Sequence, residues 1–393
     1  MPDRPLDGVT VVSIEQAVAM PFATRLLADL GARVIKVERV DGGDFARAYD
    51  RHVNGLSSHF VWLNRSKESV ALDLKQEEGR ALLHRLVEKA DVFAQNLGPG
   101  AAERLGLDGT TLRVTRPELI TAAITGYGPD GPYRDRKAFD MLVQAESGLV
   151  SVTGTPEEGV KAGIPVADIA AGMFTSNAIL GALLRRARTG EGSDIGVSMF
   201  DALLEWLQHP LYAATYGGAD LPRTGLAHPS IVPYNAYPTS DGKVLIGVQN
   251  DRQWRALTTA FGRDDLAQDT TLARNIERCS RREHVDSEIA RTTVRMTAAE
   301  LLEILNRADV PVAQVSRLTD VVDHPQLLAR HRWAEVGTEV GAIRSILPPA
   351  TFDAFDPVIA PVPALGSSNA AILAELGLTE GEITRLQERR VVS

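Results

Sequence analysis

The chain has 393 residues, 44% hydrophobic and 24% charged, which exceeds the roughly 250 to 300 residues that one core supports and so predicts two domains. Its formal net charge of -9 opposes non-specific attraction to nucleic acid or an anionic membrane while still allowing a local anion site. A single cysteine, Cys279, excludes an internal disulfide and a cysteine-rich zinc site.

The opening MPDRPLDGVTVV lacks a basic stretch followed by an apolar run and a small-residue cleavage site. No run of about 18 apolar residues stands out elsewhere, so a cytoplasmic protein is expected. VTVVSIE (9–15) is apolar and β-branched and predicts a strand, Pro21 to Leu30 a helix stopped by Gly31, and RVIKVE (33–38) a second strand. The alternation continues with SVALDL (69–74), an amphipathic helix from about Glu77 to Lys89, DVFAQN (91–96), a helical stretch around Ala101 to Leu105, and ELITAAIT (118–125).

Strands alternating with helices predict an α/β fold with a doubly wound, Rossmann-like parallel sheet. Ligands of such sheets lie beyond the carboxyl ends of the strands, so the segments after Ile14, Val37, Leu74 and Phe93 form the expected binding rim. The first of these turns, EQAVAMP, contains no glycine. It therefore lacks the Gly-x-Gly-x-x-Gly loop that admits a dinucleotide pyrophosphate, which argues against a nicotinamide dehydrogenase.

A long helix is expected from about Ile169 to Arg188, its C-terminal end matched by cations in the last turn and by Gly190. After DIGVSMFDALLEWL, the passage from His209 to Pro233 carries Pro, Gly and His and reads as a linker. Beyond it, NAYPTSDGKVLIGV predicts a hairpin, Asn235 to Pro238 and Val244 to Val248, about the turn residues Ser240, Asp241 and Gly242. Helices follow from near Asp251, from about Arg282 to Val294, and after the capping box Thr297 to Glu300. A Pro-rich passage, PPATFDAFDPVIAPVPALG, precedes a last helix from about Glu380.

Asp168 falls in the first turn of the long predicted helix. A carboxylate there serves either as a helix cap or as a nucleophile stabilised by the helix dipole, and the local residues leave both readings open. The histidines, including His209, His228 and His284, show no His-x-x-x-His spacing, so no metal site is expected. No Gly-x-Ser-x-Gly elbow occurs, and Cys279, in ERCSRRE, has no base beside it in sequence.

Taken in order, LDGVTVVSIEQAVAMPFATRLLADLGARVIKVER, NRSKESVALDLK, NLGPGAAERLGL, GYGPDGPYRDRKAFDMLVQAESGL and PVADIAAGM resemble the blocks of class III coenzyme A transferases and their relatives, the α-methylacyl-CoA racemases. YPTSDGKVLIGV, VPVAQV, DHPQLLARH and PALGSSNAAILAELGL extend the resemblance over essentially the whole chain, with Ser368 where a histidine is more usual. The resemblance implies a large CoA-binding domain from 1–215, a smaller α+β domain from 225–320, and a segment, 330–393, that returns to the first. It also implies an interlocked homodimer, acyl-CoA and carboxylic acid substrates, and neither a resident cofactor nor a metal.

By the same resemblance Asp168 is the nucleophile, forming a mixed anhydride and then an aspartyl-CoA thioester. Ala17, Arg39, Leu74, Lys75, Asn96, Leu97, Arg104, Lys137 and Met199 match the family's CoA contacts. The cations among them, Arg39, Lys75, Arg104 and Lys137, suit the phosphates of CoA through charge-assisted hydrogen bonds. The related racemases carry a histidine before the aspartate that matches Asp140; Phe139 stands there and cannot take a proton, which favours transfer over racemisation or epimerisation at the α-carbon. Val18 replaces the glutamine of formyl-CoA transferases and IGVQND their glycine-rich flap, against an oxalate or formyl substrate. SSHFVWLNRSKES resembles branches that handle C4 and C5 dicarboxylates such as mesaconyl, succinyl, itaconyl or citramalyl groups, with Arg47 or Arg51 to receive a distal carboxylate.

Overall fold

Six short runs, mostly rich in Val, Ile and Ala, form the strands β1 (Thr10–Ile14), β2 (Arg33–Glu38), β3 (Lys67–Ala71), β4 (Val92–Gln95), β5 (Ile120–Thr125) and β6 (Asp194–Ser198) in a computed structural model that describes residues 4–393. They pair in parallel in the order β3-β2-β1-β4-β5-β6, as expected of a doubly wound sheet. The direction of winding reverses between β1 and β4, which opens a crevice at their carboxyl ends.

The chain divides into two units, one containing residues through Leu149 with Ala162–His209 and His331–Ser393, the other Val150–Lys161 and Pro210–Arg330. In the first, Leu82, Leu83, Leu86 and Val87 of the helix Glu77–Glu88 pack with Val12, Ile35, Val70 and Phe93 of the sheet. Ile372 and Leu373 of the helix Asn369–Glu375 and Ile383 of the helix Glu380–Glu388 complete the same cluster. Burying each such side chain contributes about 1.5 to 3 kcal/mol, so residues far along the chain help to hold the first strands.

The helices Ala19–Asp29 and Val166–Thr189 pack against one another. Gly172 permits their approach, because a β-carbon there would stand 2.6 Å from the Ala19 carbonyl oxygen. Val166–Thr189 is long and apolar enough, by length and composition, to cross a membrane, although polar residues break its sequence into apolar runs far shorter than a span needs; Ala167, Ala170, Ala171, Thr175 and Ile179 are buried within the protein.

The second unit holds an antiparallel sheet of β7 (Tyr234–Pro238), β8 (Lys243–Gly247) and β9 (Val312–Gln314). Its core joins Tyr237, Val244 and Ile246 to Trp254, Leu257, Ile289, Leu301 and Leu305 of the helices Asp251–Ala260, Arg282–Thr293 and Ala298–Arg307. The last of these begins with the expected capping box, the Thr297 amide donating to Glu300 Oε2 at 2.8 Å and the Glu300 amide to Thr297 Oγ1 at 3.3 Å. Back in the first unit, β10 (Trp333–Thr338) and β11 (Gly341–Ile346) form a hairpin.

The edge strand β3 does not end in solvent. The Ser66 hydroxyl donates to the Val358 carbonyl (3.1 Å), the Ser368 amide to the Ser69 carbonyl (3.0 Å), and the Ala71 amide to Asn369 Oδ1 (2.9 Å). The Pro-rich passage and the residues just after it thus supply acceptors and donors along an edge that would otherwise expose its backbone.

Candidate active site

A cavity of about 1000 Å³ opens at the carboxyl ends of β1, β2, β3 and β4, lined by Ile14–Gln16, Val37–Asp41, Leu72–Gln76 and Leu97, with Arg104, Leu105, Arg389 and Arg390 among its other walls. Arg39, Leu74, Lys75, Leu97 and Arg104 of the expected CoA contacts lie on it together. Asn96 stands behind the wall: its Oδ1 accepts from the Gln16 amide and its Nδ2 donates to the Gln16 carbonyl, both at 2.9 Å, so it pins the first rim turn. Ala17 follows in the left-handed region at φ 59°. Lys137 and Met199 are not on this cavity; Lys137 is exposed between β5 and the helix Asp140–Glu146, and Met199 is buried at the start of the helix Met199–Trp206.

Beneath the rim lies a layer of buried charge that the sequence analysis did not single out. Lys36 Nζ sits 2.7 Å from Asp44 Oδ2 and 3.6 Å from Glu15 Oε1, and Lys67 Nζ donates to Glu15 Oε1 at 2.7 Å, all four side chains being fully buried. Asp44 Oδ1 accepts from the amides of Ala17 (3.0 Å) and Ala46 (2.9 Å), which ties the left-handed turn to this layer. Burial penalises the Lys36 ammonium, but Asp44, Glu15 and Glu38 outweigh it and hold its pKa above the ordinary lysine value. Burial likewise disfavours the Glu15 carboxylate, yet Lys67 and Lys36 keep its pKa below the usual range. The signal in the sequence was a charge inside an apolar strand, Lys36 in RVIKVE, which is rare unless paired.

Arg47, one of the two arginines considered for a distal carboxylate, is committed elsewhere. It forms a fork with Glu38 at 2.9 and 2.8 Å and lies 3.7 Å above the centre of the Phe60 ring. Arg51 is exposed.

Asp168 is half-buried in the first turn of Val166–Thr189, but it is not that helix's cap. The amides of Ala167 and Asp168 point instead at Asp140 Oδ1, at 2.9 and 3.5 Å, while Gln144 Nε2 donates to Asp140 Oδ2 at 2.6 Å. Gln144 is buried and accepts the Ala162 amide at 2.9 Å, so the Asp140 carboxylate is fixed in place. No hydrogen bond or ion pair reaches the Asp168 carboxylate among the described residues. Burial, and next the charge of Asp140, push its pKa up to about 7. The Tyr49 hydroxyl is pushed up to about 12 by burial and by the charges of Asp44, on the cavity wall, and Asp168.

Were Asp168 the group that reacts as its anion, a pKa pushed up to about 7 would give an acid limb in kcat/KM, falling about tenfold per pH unit below that point. Asp140→Asn removes the neighbouring charge and should move the limb to lower pH, only in part, because burial is the larger cause. A limb that stays in place in the variant would show that Asp140 does not act on the group that titrates.

Compared with known proteins, the chain matches the profile of CoA-transferase family III over residues 6–369. It is 36% identical to a succinate–glutarate CoA-transferase of Agrobacterium fabrum, covering 98% of this chain and 99% of that protein. It is 35% identical to an acetyl-CoA:oxalate CoA-transferase of Acetobacter aceti, over 86% of this chain and 87% of the other. A crystal structure of a CaiB/BaiF family protein from Brucella suis superposes with a TM-score of 0.86 at 35% identity, covering 95% of this chain and all of that one.

Proposed function

The chain belongs to CoA-transferase family III, and from that premise we propose that it moves CoA between C4 and C5 dicarboxylic acids through covalent intermediates on Asp168. The observation that carries the reading is the desolvated, unbonded Asp168 carboxylate, relieved of capping duty by Asp140. A carboxylate stripped of hydrogen-bond donors is a stronger nucleophile than one that caps a helix.

The Asp168 carboxylate attacks the thioester carbonyl and expels CoA thiolate, leaving an aspartyl mixed anhydride. The thiolate then attacks the aspartyl carbonyl, releasing the donor acid and forming an aspartyl-CoA thioester. The acceptor carboxylate attacks that thioester, again expelling thiolate and giving a second anhydride. The thiolate adds to the acceptor's carbonyl in this anhydride, and departure of the Asp168 carboxylate completes the cycle. Thioester and anhydride bonds are exchanged throughout, so the chemistry calls for no nucleotide.

The substrate class is supported by the succinate–glutarate relative and by the resemblance of SSHFVWLNRSKES to dicarboxylate branches. Overall identity does not separate this from the oxalate relative; what supports a larger diacid is Val18, which stands where formyl-CoA transferases carry a glutamine. The same reading takes the enzyme as a cytoplasmic homodimer with no resident cofactor.

Incubation of succinyl-CoA with a panel of C2 to C6 acids, read by mass spectrometry, should give new acyl-CoA products with the C4 and C5 diacids. Transfer confined to oxalate or formate would overturn the substrate class. Exchange of the α-hydrogen in deuterated water without CoA transfer would select a racemase.

A further inference from the structure

The helix Glu380–Glu388 closes on a turn in which the Arg390 amide donates to the Gln387 carbonyl and the Val391 amide to the Leu386 carbonyl, each at 2.8 Å. This double bond pattern is the Schellman motif, and it requires a left-handed residue at the position that Arg390 occupies at φ 56°. Glycine is the usual residue there, because a β-carbon crowds the neighbouring carbonyl in that conformation. An arginine in its place gives up helix-end stability.

The backbone cannot shift to relieve it. Val391 and Val392 are buried. The Val391 carbonyl accepts the Asp73 amide at 2.8 Å, Val392 bridges to Leu72, and Asn369 Nδ2 donates to the Ser393 oxygen at 2.8 Å. This strap runs beside the segment Leu72–Gln76 that walls the cavity, and it sets Arg389 and Arg390 on the same wall. Arg389 is paired with Glu78 at 2.7 Å. Neither Arg390 nor Arg104 forms an ion pair among the described residues, although both line the cavity of a chain whose net charge is -9.

We propose that Arg390 is a phosphate-binding residue of this cavity, acting with Lys75 and Arg104 on the phosphates of CoA. The proposal rests on the reading of the cavity as the CoA site. A guanidinium suits a phosphate through paired, charge-assisted hydrogen bonds, and that use accounts for a side chain where the backbone favours none.

The test is the variant Arg390→Gly beside Arg104→Ala. Arg390→Gly should melt no lower than the wild type, yet raise the KM for acyl-CoA about tenfold. Its kcat and its KM for the acceptor acid should stay within about twofold, and the effect should shrink in high salt. Arg390→Lys should recover part of the loss. A thioester of dephospho-CoA locates the contact: equal weakening of both donors places it on the pyrophosphate, and weakening of the CoA donor alone places it on the ribose phosphate, either of which supports the proposal. An unchanged acyl-CoA KM in Arg390→Gly, with a raised one in Arg104→Ala, overturns the role of Arg390 and leaves the site standing. No effect in either variant overturns the CoA site itself.

Discussion

Asp168→Asn is expected to lower turnover by about four orders of magnitude or more while leaving CoA binding in place. Asparagine keeps the shape of the side chain and loses the charged oxygen that would attack a thioester. Because Asp140 holds the amides of this helix end, the substitution removes no cap. Stability should move in the opposite direction from activity. The pKa of Asp168 is raised in the folded protein, so ionising it disfavours the fold; that penalty is absent below about pH 4, grows as pH rises, and is complete above about 7. Asp168→Asn should therefore match the wild type in thermal stability at acid pH and equal or exceed it at pH 8. Treating the wild type with acyl-CoA and then hydroxylamine should leave a hydroxamate on Asp168, found by peptide mass. Wild-type turnover in the variant, or an adduct on Asp140 or Cys279, would refute the mechanism.

Lys36→Met should cost about 3 to 5 kcal/mol, since it leaves a buried carboxylate without its counter-ion. Lys36 carries the charge between Asp44 and Glu15, and all three side chains are fully buried. The loss should appear as a lower urea midpoint without a change of slope. Asp44 also holds the Ala17 amide, so any of the variant that folds should bind acyl-CoA more weakly. Adding Asp44→Asn to Lys36→Met should recover part of the stability, because the orphaned charge is then gone, and a double-mutant cycle measures that coupling. An unchanged urea midpoint in Lys36→Met would mean that the two charges do not depend on each other.

What the sequence made legible was what lies in local periodicity. β1, β2, β4 and β5 follow apolar, β-branched runs, and the long helix was expected within three residues of its observed span. β3 begins at Lys67, two residues before the expected start, because Lys67 is buried through Glu15 and a charged residue does not announce a strand. β6 went unassigned: DIGVS alternates with exposed positions at the sheet's far edge and contains a glycine. The hairpin of β10 and β11 turns at Glu339 and Val340 rather than at an Asn-Gly or Asp-Gly pair, so no turn signal marked it.

The site was legible to the same extent. Asp168 and the rim segments stand in recognisable blocks, but the role of Asp140 depends on two helix ends meeting across 27 residues of sequence. The strap that brings Arg390 to the cavity pairs residues about 300 positions apart, which no window of periodicity contains.

Burial of the β3 edge has a consequence for biosynthesis. Asn369, which takes the Ala71 amide, lies 298 residues downstream of it. At about 5 to 20 residues per second, the nascent chain carries that edge uncovered for roughly 15 to 60 s. During this interval an unpaired strand of a parallel sheet is a template for another chain's backbone. Yield in cells should therefore depend on chaperone supply and growth temperature more than the finished protein's stability would suggest. Ribosomes stalled before residue 358 should hold chains that aggregate on release, whereas those stalled well beyond residue 393 on an extended chain should not.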